Sequence, residues 1–202
     1  MKKLNLIAIA AAAILLAACI PSIYPFYTDK DVIVDPRLFG TWAGTNGDAE
    51  VWKFEQETNS TMLLTVVEEG KTNDFMAHLF KLKQEQFLDL IPDPEFLTNQ
   101  TGLAASCMAP GHLLVHVTQI EPALQMSLCN FGWLEDYLEK NPDALAHRTQ
   151  DGLVLTADTS SLQNFVLQHL STNELFKPAG YLSGKMVRMT NSVNSASPAK
   201  QP

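Results

Sequence analysis

The chain has 202 residues, 14 of them basic and 22 acidic, with 46% hydrophobic residues and a formal net charge of −8. Two of the basic residues and a dense apolar run fall in the first 18 positions, so the remainder carries 12 basic against 22 acidic groups, a net of −10. That excess disfavours nucleic acid, whose affinity rests on neutralising phosphates with Lys and Arg, and the length suits one sizeable core rather than two full domains.

Residues 1–18, MKKLNLIAIAAAAILLAA, place Lys2 and Lys3 before an apolar run from Leu4 to Leu15 broken only by Asn5, and close on Ala17-Ala18. A basic start, a run shorter than the ~20 residues of a comfortable bilayer span, and small residues at its end are the layout of a cleaved secretory signal peptide. An uncleaved N-terminal anchor is the alternative. Leu16-Ala17-Ala18-Cys19 directly after this run resembles the lipobox of bacterial lipoproteins. The resemblance covers residues 1–19 and implies cleavage before Cys19, a diacylglyceryl group on its sulfur and acylation of its amine. At roughly 0.8 kcal/mol per buried CH₂, two or three such chains hold a protein on a membrane almost permanently. Ile20 stands where aspartate is the retention signal of enterobacterial lipoproteins, so the resemblance implies a lipid anchor in the outer membrane, facing the periplasm.

Residues 19–37 form the lipid-anchored tether, and they are not the Ser/Gly-rich leash common in such proteins. Pro21, Pro25 and Pro36 stiffen the segment, and Tyr24, Phe26 and Tyr27 favour being covered. Two placements are open: along the side of the domain, or at the lipid headgroups, where Tyr is favoured. From Gly40 to Leu128 the pattern is mostly strand. It includes Val51 to Glu55, Met62 to Glu69, a hairpin of Phe75 to Lys83 with Gln86 to Ile91 turning at Gln84-Glu85, and a second hairpin turning at Glu121-Pro122. Residues 93–111 read as a long loop. Trp133, Leu134, Tyr137 and Leu138 mark one helix ended by Asn141-Pro142, and Ser160 with Gln163 fits a capping box opening a second. Gly152 to Thr156 and Lys185 to Met189 read as further strands, and residues 190–202 as a disordered tail. The globular domain is thus set at residues 38–189.

With Cys19 committed to lipid, Cys107 and Cys129 are an even pair in an oxidising compartment. A bridge would close a loop of 23 residues and contribute about 3 kcal/mol on a chain-entropy model; two independent thiols are the alternative. His112 and His116 are four apart, on one face of a strand but about 13 Å from each other, too far to share an ion unaided. His78, His147 and His169 have no ligand-like neighbours, so no metal and no cofactor is expected. No nucleophile elbow, zinc-helix motif, glycine-rich phosphate loop or Ser-x-x-Lys occurs. Carboxylate pairs such as Glu68-Glu69, or Asp89 with Asp93, read as solvated faces, and the balance leans against an enzyme.

Gly40-Thr41-Trp42 resembles the G-x-W that opens the lipocalin barrel, whose tryptophan closes the barrel floor under an arginine from near the C-terminus. Arg188 could fill that part here; a plain core role for Trp42 is the alternative, and the two later helices depart from that family. The expected fold class is α+β: an antiparallel, strongly curved sheet or partial β-barrel with two packed helices. Three functions follow. The leading one is a non-catalytic, lipid-anchored envelope protein that binds a partner protein or a cell-wall component. The second is a carrier of a small apolar ligand, with a cavity lined by Trp42, Trp52, Phe54, Phe75 and Phe80. The third is an envelope hydrolase with a dispersed site.

Overall fold

In a β-strand successive side chains point to opposite faces, so apolar residues at every second position turn together toward one core. Trp52 and Phe54, Met62, Leu64 and Val66, and Ala77 and Leu79 follow this rule and are all buried in one cluster. The structure, a computed structural model, describes residues 21–45, 50–68, 70–93, 111–150, 152–172, 174–176 and 184–189. Eight strands form the barrel: β1 (Gly40–Gly44), β2 (Val51–Gln56), β3 (Met62–Glu68), β4 (Lys71–Leu82), β5 (Glu85–Pro92), β6 (Leu113–Gln119), β7 (Leu124–Leu128) and β10 (Lys185–Arg188). Each pairs antiparallel with its neighbours, and β10 closes the ring between β7 and β1. The expected curved antiparallel sheet is therefore a closed barrel, which leaves no free edge among these eight strands.

Between β7 and β10 the chain builds an outer layer. It contains helix α1 (Phe131–Lys140), a two-stranded ribbon of β8 (His147–Arg148) with β9 (Val154–Leu155), and helix α2 (Thr159–His169). Asn130 caps α1 by accepting from the Trp133 N–H at 3.2 Å. The cap of α2 is Asp158, which accepts from Ser161 N at 2.9 Å, and not Ser160. Gln163, expected to complete a capping box, instead reaches across to the Phe26 carbonyl at 3.0 Å and the Asp31 carboxylate at 2.9 Å. The hairpin between β4 and β5 turns at Lys83-Gln84, one residue earlier than expected, with Lys83 taking the left-handed conformation at φ 55°. β8, and the start of β4 before Phe75, carry no strand signal in the sequence.

Residues 21–38 form a strap on the outside of the barrel, so the folded unit takes in the segment read as a tether. Ser22 is paired with His112 through two backbone bonds of 2.9 Å, and Ile23 N donates to the Leu155 carbonyl at 3.0 Å. Phe26 is buried, which contributes roughly 2 kcal/mol, and Thr159 Oγ1 donates to the Pro25 carbonyl at 2.8 Å. Further along, Ile33 N bonds the Leu79 carbonyl and Lys81 N the Asp31 carbonyl. Burial alone would raise the Asp31 pKa, but hydrogen bonds from Thr28 and Gln163 outweigh it and hold the carboxylate below its usual range. The strap ends in a 3-10 turn, Pro36–Leu38, that tucks Leu38 under the barrel.

Candidate functional site

Trp42 and Arg188 face each other where β1 pairs with β10. The Trp42 ring is fully buried, its Nε1 donates to the Leu38 carbonyl at 2.8 Å, and the Arg188 guanidinium lies 4.2 Å from the ring centroid. Arg188 also donates through Nη1 to the Phe39 carbonyl at 2.5 Å and through Nη2 to the Arg37 carbonyl. Gly40 has a positive φ of 120°, and a Cβ there would meet Arg188 Nη1 at 2.7 Å, so both the backbone and the arginine require glycine.

Trp42, Trp52 and Phe54 are buried inside the barrel, and Phe75 is half-buried against them. Phe80 does not join them. It sits one position out of phase on β4, facing the outer layer, where it stacks on Phe87 at 5.5 Å. Among the described residues the interior is filled: Trp42, Leu64, Ala77, Leu79, Leu88, Val115 and Leu124 all have zero exposure. A ligand-sized void would leave its lining accessible to a water-sized probe.

The outer wall carries the polar residues. Asp89, read from the sequence as part of a solvated face, is wholly buried under the strap. Its carboxylate accepts from Phe26 N at 2.8 Å and bonds His112 Nδ1 at 2.6 Å. Beside it Tyr27 stacks on His78 at 4.5 Å, and the Tyr27 hydroxyl is pushed up to about 12, first by burial and then by Asp89 and Asp29. His78 Nε2 meets Thr61 Oγ1 at 3.2 Å while its Nδ1 is buried without a partner. Among the described residues no group of His, Cys, Asp and Glu has the arrangement of a metal site. Cys129 is buried in the outer core, and burial pushes its thiol up to about 12. Cys107 and Cys19 lie outside the described residues.

Burial holds the His78 imidazole below its usual range; Asp89 and Asp29 oppose this and His112 reinforces it. Burial also depresses His169, which stands among the rings of Trp133, Tyr137 and Phe165. An unfolded imidazole takes its proton near pH 6.5, and these two take theirs only at lower pH. In that window the unfolded chain binds more protons, so stability falls as the pH drops below about 6.5. Denaturant titrations between about pH 7.5 and about pH 5.5 should show this loss, and His78→Phe should reduce it; equal slopes in both proteins would contradict the assignment.

His116 lies on the same outer face as His112 but serves a different place. Its ring is packed between Phe87 at 4.9 Å and Phe176 at 5.0 Å, and its Nε2 meets Glu85 Oε2 at 3.0 Å. It lines an open cleft of about 960 Å³ between the barrel wall and the end of α2. Leu167, Leu170 and Phe176 supply an apolar side, while Lys83, Lys185 and Glu174 supply charges of both signs. Ser127 stands opposite His116 in register, and among the described residues the His116 ring is joined to the Glu85 carboxylate rather than to the Ser127 hydroxyl. Such a surface, with an apolar side and a charged rim, can bind.

Fold and site together define a small, filled, antiparallel β-barrel with a helical outer layer and a cleft on its outer wall. No protein-family model matches the chain, and no curated protein or solved structure matches it either.

Proposed function

We propose that the protein is a lipid-anchored envelope protein of the bacterial outer membrane, facing the periplasm. It acts there as a non-catalytic binding module that takes a partner protein or cell-wall component in the outer-wall cleft. The supporting observation is the contrast between the filled barrel interior and the open cleft outside it. A cleft with an apolar side and a rim of mixed charge is the anatomy of a non-obligate interface. A photo-crosslinking residue at Gln125, in the cleft, should capture one recurrent adduct in intact cells. The same residue at Glu55, exposed on β2, should not. Equal adducts at both positions would defeat the reading. The anchor rests on the Leu16 to Cys19 motif. Cys19→Ala should leave an uncleaved precursor without acyl chains by mass, and normal maturation of that variant would remove the anchor from the proposal.

A second reading, a lipocalin-like carrier, is favoured by the closed eight-strand barrel with Arg188 stacked on Trp42. The filled interior weighs against it. Native mass spectrometry of the protein freed of its lipid anchor decides between the two. A reproducible extra mass lost on organic extraction would support the carrier, and a clean mass the binding module.

A further inference from the structure

Resting on the lipid-anchor reading, we infer that the domain docks on the bilayer surface through the patch around Pro21. Ile23 and Tyr24 then lie in the headgroup layer, and the cleft is held off the membrane. Only Ile20 separates Cys19 from Pro21, and an extended chain spans at most about 3.6 Å per residue, so the lipidated residue lies within about 7 Å of Pro21. Pro21 is itself clamped. Its carbonyl accepts from Leu155 N at 3.0 Å, and its ring packs so closely on Gly111 that a Cβ there would come within 2.3 Å of it. Ser22, next in the chain, is wholly buried. A domain held this closely cannot turn the patch away from the bilayer.

The side chains beside the leash suit that position. Ile23 and Tyr24 are 47% and 50% exposed, among the most exposed large apolar residues described, and tyrosine is enriched at membrane interfaces. The net charge of −10 beyond residue 18 draws nothing toward anionic lipid, so the contact derives from the acyl chains and these two residues. The cleft lies elsewhere. His112, paired with Ser22 just before β6, is four residues from His116 and six from Thr118 in the cleft wall, or about 13 to 20 Å. α2 leads the same way, from Thr159 on the strap to Leu167 at the cleft. The binding surface therefore faces the periplasm at about that distance from the lipid contact.

The test uses the mature, acylated protein in phosphatidylcholine vesicles containing a nitroxide-headgroup lipid, with a fluorescent amino acid encoded at position 24, 34 or 125. Val34 is the control, as exposed as Ile23 but on the far part of the strap. Quenching should be several-fold stronger at position 24 than at 34 or 125. Equal quenching at all three, in protein whose mass shows the acyl chains, would overturn the docking and leave the anchor standing. A mass without acyl chains would overturn both.

Discussion

Replacing Asp89 by alanine should destabilise the fold by about 2–6 kcal/mol, because two covered donors lose the acceptor they share. The carboxylate has zero exposure, and its two oxygens serve different elements, Oδ2 the strap at Phe26 N and Oδ1 the side chain of His112. Truncation leaves both groups without their acceptor under a covered face. Each unpaired buried polar group costs about 1–3 kcal/mol, and two of them give that range. Asp89→Asn keeps an acceptor for Phe26 N and should cost less. Denaturant unfolding gives the loss directly, and limited proteolysis should show cleavage appearing within residues 21–31 of the alanine variant first. A cost below about 1 kcal/mol would mean that the pair contributes no more than an exposed one.

Trp42→Ala is the second large effect, also about 3–5 kcal/mol, because a fully buried indole leaves a cavity in a filled core. The loss has a polar part as well, since Trp42 Nε1 holds the Leu38 carbonyl and the ring carries Arg188. Arg188→Ala removes the same stack from the other side, together with the donors to the Phe39 and Arg37 carbonyls. The two substitutions should be non-additive by more than about 0.5 kcal/mol, the scatter of independent sites. Strict additivity would show that the arginine and the tryptophan act separately. Trp42→Phe, which keeps an aromatic ring for the cation, bounds the share of the indole N–H.

Most of the strands were legible in the sequence because one face of each is buried and the other is not. Trp52 and Phe54 alternate with Lys53 and Glu55, and that period of two is a direct reading of the pleat. The rule fails where both faces are covered. β5 runs Phe87-Leu88-Asp89-Leu90 with all four buried, so alternation could not tell which of its residues, or of their partners on β4, turned inward. Phe80 is different: it stands five positions from Phe75 on one strand, so the period of two itself puts the two rings on opposite faces, and an aromatic count that groups them ignores it. Asp89 was read as solvated although it interrupts an apolar run, which is the one local signal that it is covered. Barrel closure was hidden because β10 is separated from β7 by the two helices and the ribbon, and nothing local states which edge it joins. Gln163 misled differently. Its spacing from Ser160 fits a cap, but a partner distant in sequence, the strap, competes for the same amide.

The strap also sets an order of events. Pro25 finds its partner Thr159 134 residues later in the chain, so docking cannot be completed until most of the polypeptide has emerged. Until then residues 21–25 lack the partners that hold them in the folded protein. Once Leu155 and Thr159 arrive, Pro21, Ile23 and Pro25 gain the bonds that fix the strap to the outer layer. Completion of the outer layer therefore waits on the last third of the chain, and a polypeptide that stops short of Thr159 leaves the strap without that bond.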